Sequence, residues 1–240
     1  MARFEKEKYD IMIDLINIFN ASQSKYRVIP VAYNPQSKTH LYAKYAEMLV
    51  KDRRIVAIFG TWRSIDRQAV LPIVERNNHL LFYPVQYEGG ECSRNVLYFG
   101  ATPNQHIGVG AEFGIKNIDR HVVLVGSDYV YSHKAVEIIK RYIDHYKAEL
   151  KGEYYVPLDI GLRAQKNHYD RITREIVKNN PNGCLIINTS NNLSNIPFFD
   201  SLHKNFIKYT PRGKEHYKKR TKQNHVKLLQ GHVDWCRRNR

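Results

Sequence analysis

Short apolar runs that do not alternate with polar residues recur along this chain, and each is followed by a longer segment with apolar positions at helical spacing. Residues 55–59 (IVAIF), 80–83 (LLFY), 95–99 (NVLYF), 122–126 (VVLVG) and 184–188 (CLIIN) are runs of this kind. A strand that is apolar on both sides is buried on both sides, which requires helices on each face of a parallel sheet. The intervening segments, residues 9–21, 39–50, 64–76, 103–115, 134–150, 167–179 and 197–204, predict those helices. Residues 27–33 (RVIPVAY) and 153–158 read as further strands. The fold class is therefore α/β.

A second βα series begins at His121, without a repeat of fixed period. The reading is two similar Rossmann-like lobes: residues 1–105 form the first ligand-binding lobe, and residues 106–206 the second. After about residue 206 the pattern stops. The second lobe then has only about three strands, where an open sheet usually has about four to six, so it reads as incomplete.

The net charge of +15 is uneven: residues 207–240 hold eleven Lys or Arg and two acids. This segment reads as a poorly ordered, solvated basic tail; a nucleic-acid contact is the sharper reading and is not adopted. At 42% the hydrophobic content is enough for a core, and 17 Tyr against 9 Phe favours surfaces that are apolar with a polar tip. Three cysteines, Cys92, Cys184 and Cys236, are far apart and in no metal-ligand spacing. No metal and no cofactor is expected. The start is charged with no apolar core of a signal peptide behind it, and no stretch reaches the roughly 20 apolar residues of a membrane span.

In open α/β sheets ligands collect at the carboxyl ends of the strands. Three such ends are rich in polar and aromatic residues. In Gly60-Thr61-Trp62-Arg63-Ser64, Ser64 is either a helix N-cap or a donor to a ligand carbonyl, and Trp62 either core or pocket wall. The second end is residues 82–91, with Tyr83 packed beneath a surface loop or facing a ligand. The third is Gly126-Ser127-Asp128-Tyr129-Val130-Tyr131. If that segment is extended, Tyr129 and Tyr131 point the same way, into a cleft or into packing. No nucleophile elbow, dinucleotide fingerprint, phosphate loop or zinc-protease motif is present, so the expectation is a binding protein and not an enzyme.

Residues 62–98 (WRSIDRQAVLPIVERNNHLLFYPVQYEGGECSRNVLY) strongly resemble the urea- and amide-binding branch of the type 1 periplasmic binding proteins. Those are substrate-binding subunits of urea ABC transporters and the related short-chain-amide receptors. Pro103-Asn104-Gln105, Gly126-Ser127-Asp128-Tyr129-Val130-Tyr131 and Ser194-Asn195-Ile196-Pro197-Phe198-Phe199 agree with the same branch, and the resemblance covers about residues 9–206. It implies two lobes closing on a small neutral amide or urea, truncated at both ends. It places ligand-binding positions at Trp62, Ser64, Tyr83, Val85, Tyr129 and Tyr131, with no catalytic residue, and names an ABC transporter permease as partner. Val85, Ser132, His168 and Asn192-Leu193 depart from that pattern.

The resemblance implies a periplasmic place, whereas the absence of a signal peptide points to the cytoplasm. A cytosolic amide-sensing regulator of an amidase operon and a degraded, non-binding fragment therefore stand as alternatives to the transport receptor. The missing elements imply exposed apolar faces in the second lobe and a tendency to aggregate.

Overall fold

A computed structural model describes residues 3–22, 25–209 and 228–230. The chain forms two compact units, one of Met1–Val85 with Cys92–Phe99 and the other of Gln86–Glu91 with Gly100–Arg240.

The first unit contains helices α1 (Arg3–Ala21), α2 (Thr39–Lys51) and α3 (Ser64–Arg76). Its three-stranded parallel sheet, β1 (Ile58–Phe59), β2 (Leu81–Tyr83) and β3 (Val96–Tyr98), runs in that order. Val70, Ile73 and Val74 of α3 and Leu81, Tyr83 and Val96 of the sheet are its buried core. The expected strand at residues 27–33 does not form. Its backbone is extended but pairs with no strand among the described residues, and the side-chain amide of Asn20 both donates to and accepts from the Val28 backbone, at 2.8 Å each way. An apolar strand is stable only beside a neighbour, and here Ile29 is 76% exposed.

Further apolar side chains of this unit are uncovered: Ile11, Leu15, Ile18 and Phe19 on α1, and Phe59 and Phe99 of the Phe59–Phe82–Phe99 stack across the strand ends. Exposed apolar side chains are expected in the second half, and they occur in both: the second unit leaves Val109 and Phe113 on one helix, and Leu193 and Ile196, uncovered.

In the second unit α4 (Ile107–Asn117) leads into β4 (His121–Asp128), α5 (Val130–His145), β5 (Glu149–Pro157) and α6 (Gly161–Asn179). Strand β6 (Leu185–Thr189) follows, then a short 3-10 turn (Asn192–Ser194), α7 (Asn195–Tyr209) and β7 (Leu228–Gln230). All pairs are parallel, in the order β5-β4-β6-β7. The sheet therefore has four strands among the described residues, one more than expected. Three residues of the basic tail supply the fourth, and the remaining expectation of a disordered tail lies outside the described residues apart from the end of α7. Helix α5 starts earlier and ends earlier than its periodicity predicts, because β5 takes up the chain at Glu149.

Strand β4 divides the core. Val122 and Leu124 face Ile107, Ala111, Ile115, Ala135, Val136 and Ile139 on one side. Val123 and Val125 face Tyr169, Ile172, Ile176, Phe198 and Leu202 on the other. At Gly126 the elements close tightly: a Cβ there would lie 2.5 Å from Thr189 Oγ1 and 3.0 Å from Ser132 Cβ. Gly in a strand interior normally weakens it, and here it permits this approach.

Gly126→Ala is expected to destabilise the unit by about 1–3 kcal/mol through overpacking. Gly110→Ala, inside α4 with nothing within 4 Å of the new methyl group, is expected to stabilise by about 0.5–1 kcal/mol through helix propensity. Thermal unfolding of both variants checks the pair; equal midpoints would show that the close approach at Gly126 is not real.

Candidate functional site

In the first unit the loop from β1 into α3 turns through Gly60 at φ +147° and Thr61 at φ +59°, the left-handed region that a β-branched residue rarely adopts. The Thr61 hydroxyl is buried and has no hydrogen-bond partner among the described residues. Backbone strain with an unsatisfied buried hydroxyl marks a place shaped for something other than stability. Sequence reasoning singled out Trp62 and Ser64 in this loop and not Thr61, whose signal appears only in the backbone.

Ser64 is the buried first residue of α3, with Arg63 in the cap position. Trp62 is half-buried, and its carbonyl accepts a hydrogen bond from the Tyr83 hydroxyl at 3.1 Å. Tyr83, at the end of β2, is buried beneath that loop, and Val85 is buried just after it. The structure thus brings Trp62 and Tyr83 together by a direct bond.

The cationic groups nearby have partners within the protein. Arg63 forms a two-pronged pair with Asp66, which is fully buried, at 2.8 and 2.9 Å. It also donates to the Ser37 carbonyl, while the Thr39 hydroxyl donates to Asp66. Arg67 is fully buried with its guanidinium over the Tyr83 ring, 4.8 Å from the centroid. The bidentate pair fixes the partly exposed Arg63 on a buried carboxylate, and the cation–π contact lies at a desolvated guanidinium.

In the second unit the ends of β4 and β6 are knitted together by hydroxyl and amide groups. The buried Ser127 hydroxyl accepts from the Asn191 backbone N–H at 2.9 Å, and the Tyr169 hydroxyl donates to Ser190 at 3.0 Å. Asn188 donates to Asn195 at 2.7 Å. Ser132 donates to the Thr189 carbonyl at 2.7 Å and so ties α5 to β6. His168 is half-buried on α6, and Leu193 is 63% exposed.

The condition under which Tyr129 and Tyr131 point the same way, a shared extended segment, is not met. Tyr129 is the extended cap residue before α5, whereas Tyr131 is already helical. Both are half-buried. The Tyr131 hydroxyl lies 3.3 Å from His106 Nε2, and His106 Nδ1 lies 2.7 Å from the Thr102 carbonyl oxygen. The Pro103-Asn104-Gln105 motif now has a structural role: the Gln105 side chain accepts from the Thr102 N–H, fixing the turn that carries His106.

A second group that sequence reasoning missed lies at the same end of the sheet. His133 Nε2 is 2.7 Å from Asp128, and its ring lies 4.1 Å from the Tyr155 ring. Burial, followed by a hydrogen bond to Glu153, pushes the Tyr155 phenol well above its ordinary range, so it stays a neutral donor. Burial alone would raise the Glu153 carboxyl, but hydrogen bonds from Lys140 and Tyr155 prevail and hold it below its ordinary value.

Among the described residues no three His, Cys, Asp or Glu side chains gather as a metal cluster, and no helix is long and apolar enough to cross a membrane. Burial pushes the Cys184 thiol up to about 11, so its thiolate form is scarce near neutral pH and rises only as pH approaches that value. In a Cys236→Ser background, alkylation at pH 7.5 is expected at the exposed Cys92 and not at Cys184. The Cys184 rate should increase about tenfold per pH unit below its midpoint while the fold persists. Equal labelling of both thiols at pH 7.5 would contradict the burial.

The chain matches the periplasmic binding protein domain family over residues 1–212. An ABC-type branched-chain amino acid transporter protein from Rhodopseudomonas palustris CGA009 has a similar fold, at 15% identity and TM-score 0.61, over 91% of this chain and 55% of that one. An ABC transporter substrate-binding protein from Sphaerobacter thermophilus matches at 12% identity and TM-score 0.62, over 90% and 55%. A solute-binding protein from Rhodopseudomonas palustris BisB5, solved in complex with 3,4-dihydroxybenzoic acid, matches at 13% identity and TM-score 0.61, over 94% and 57%. At these identities the likeness is one of fold, and this chain spans little more than half the length of each.

Proposed function

The chain belongs to the periplasmic binding protein domain family and has the type 1 α/β fold, and from that premise we propose that it is a solute-binding receptor for urea or short-chain amides serving an ABC transporter outside the cytoplasm. The observation that carries the ligand class is that both guanidinium groups beside the first unit's strand ends already have partners within the protein. Arg63 and Arg67, the cations at this loop and helix start, are held by Asp66 and by the Tyr83 ring. What the loop offers a ligand is therefore hydroxyl and backbone N–H donors beside Trp62 and Tyr83. Such groups suit an uncharged carbonyl compound, and a carboxylate would lack a cationic partner. The second unit supports the same reading with Tyr129, Tyr131 and uncharged amide and hydroxyl groups at the ends of β4 and β6. Binding proceeds without turnover in this reading, and the permease is the partner.

A second reading follows from the structural relatives, whose names refer to branched-chain amino acids and a dihydroxybenzoic acid. Calorimetry of the 240-residue chain with acetamide, urea, leucine and 3,4-dihydroxybenzoate separates the two. Saturable heat is expected with acetamide or urea. At 100 times the dissociation constant, the amide should add about 2.7 kcal/mol of stability. Heat with either acid and none with the amides would overturn the amide assignment in favour of the relatives' ligands.

A further inference from the structure

We propose that the outward face of α6 is a docking surface for an anionic lipid bilayer. The inference rests on the reading above in one respect, that the chain works beside a membrane.

Helix α6 is held to the second unit by Gln165, Tyr169, Ile172, Thr173, Ile176 and Val177, all buried. The opposite face carries Arg163, Asn167, Arg171, Arg174 and Lys178, all exposed. Helical geometry puts these five within a sector of about 80° and over about 22 Å of helix. The row is cationic at every position but Asn167. Two acids border it and are engaged elsewhere: Asp170 pairs with Lys204 of α7 at 3.2 Å, and Glu175 accepts from the Tyr154 hydroxyl at 2.9 Å. Among the described residues Arg163, Arg171 and Arg174 form no ion pair.

The helix itself gains little from this row. Arg163 is the third residue of α6, where the positive end of the helix dipole disfavours a cation; only Lys178, in the last turn, suits the dipole. Arg171 with Arg174, and Arg174 with Lys178, are like-charged neighbours at helical spacing, which weaken a helix. Guanidinium groups stay charged at physiological pH and are weakly hydrated, so they exchange water for phosphate oxygens readily and in paired bonds.

The chemistry of the face selects the partner. Protein interfaces are centred on aromatic or apolar anchors with charge at the rim, and from Arg163 to Lys178 the exposed positions offer no such anchor. A charged row without an anchor fits a surface that is anionic throughout. The exposed Ile160 and Leu162 lie just ahead of Arg163. A bilayer interface accommodates apolar side chains beside cationic ones, and a duplex backbone does not.

Co-sedimentation of the 240-residue chain with vesicles tests this. Binding is expected to phosphatidylcholine vesicles holding about 30% phosphatidylglycerol, and not to phosphatidylcholine alone. It should fall as salt is raised. Each of Arg163→Gln, Arg171→Gln and Arg174→Gln should weaken it about fivefold, and the triple variant about 100-fold. Asn167→Arg, which fills the gap in the row, should strengthen it about fivefold. A triple variant that is folded by circular dichroism and binds as tightly as wild type, or an unchanged affinity in Asn167→Arg, overturns the proposal. Lys218→Gln/Lys219→Gln/Arg220→Gln controls for the basic tail: loss of binding there, with none in the α6 triple variant, would assign the surface to the tail and overturn α6. A wild-type chain that ignores anionic vesicles and retards duplex DNA would make the partner a nucleic acid and overturn the lipid assignment. Vesicle binding is measured without solute, so a failure of acetamide and urea to bind would sink the amide reading and leave this result standing.

Discussion

Strand β4 is buried over six consecutive residues and has a parallel neighbour on each side. Everything in the second unit is fixed relative to it. Its alternate side chains feed two separate cores, so α4 and α5 are held on one face and α6 and α7 on the other. Each fully buried Val, Leu or Ile contributes about 1.5–3 kcal/mol relative to exposure. A one-residue slip of β4 would exchange the two sets and oppose Val123 and Val125 to helices shaped for Val122 and Leu124. The register is therefore strongly specified, and with it the height at which β4 ends.

That end is where the polar residues are presented. Because β4, β5 and β6 are parallel, their carboxyl ends lie on one edge, where the end of β4 carries Ser127 and Asp128 and the following segments carry Tyr129, Ser190 and Asn191. Gly126 lets β6 and the start of α5 approach closely enough for Ser132 to reach the Thr189 carbonyl. The hydrogen bonds that follow are mutual: Ser127 with Asn191, Asn188 with Asn195, Tyr169 with Ser190. Buried polar groups satisfied in this way hold one geometry, since breaking any one leaves its partner desolvated and unpaired. A rigid edge of neutral groups is a suitable wall for a small polar ligand.

Much of this was legible in the sequence, and the failures have physical causes. Helix α3 spans the residues its pattern predicts, Ser64–Arg76, because local periodicity and burial agree there. Residues 27–33 carry an equally clear strand pattern, yet pattern specifies only a face; pairing requires a neighbour, and none is present among the described residues. The segment 228–230 failed in the opposite sense: Leu228 and Leu229 sit among lysines and histidines, and only the exposed edge of β6 makes a strand of them. Whether Tyr129 and Tyr131 share a direction depends on the segment being extended, and sequence leaves that open; the strand-to-helix turn falls between them. His106 could not be found at all from composition. It follows a recognisable Pro-Asn-Gln turn, but its relation to Tyr131, 25 positions later, exists only once α4 and α5 pack together.

The proposed preference for neutral ligands has to be reconciled with a chain of net charge +15. Bulk charge does not decide the field at a strand end; the nearest groups and their desolvation do. In the first unit Asp66 is fully buried and faces Arg63, and a buried carboxylate without that partner would be costly enough to force the two together. Arg67 is likewise fixed by burial over Tyr83. Turning Arg63 toward a ligand carboxylate would leave Asp66 desolvated and uncompensated, and turning Arg67 would forfeit its contact with the Tyr83 ring. The energetic cost of binding an acid here thus arises within the protein, before any contact with the ligand is made. An uncharged carbonyl compound imposes no such rearrangement, and so the positive charge of the chain as a whole is compatible with the proposed preference for neutral ligands.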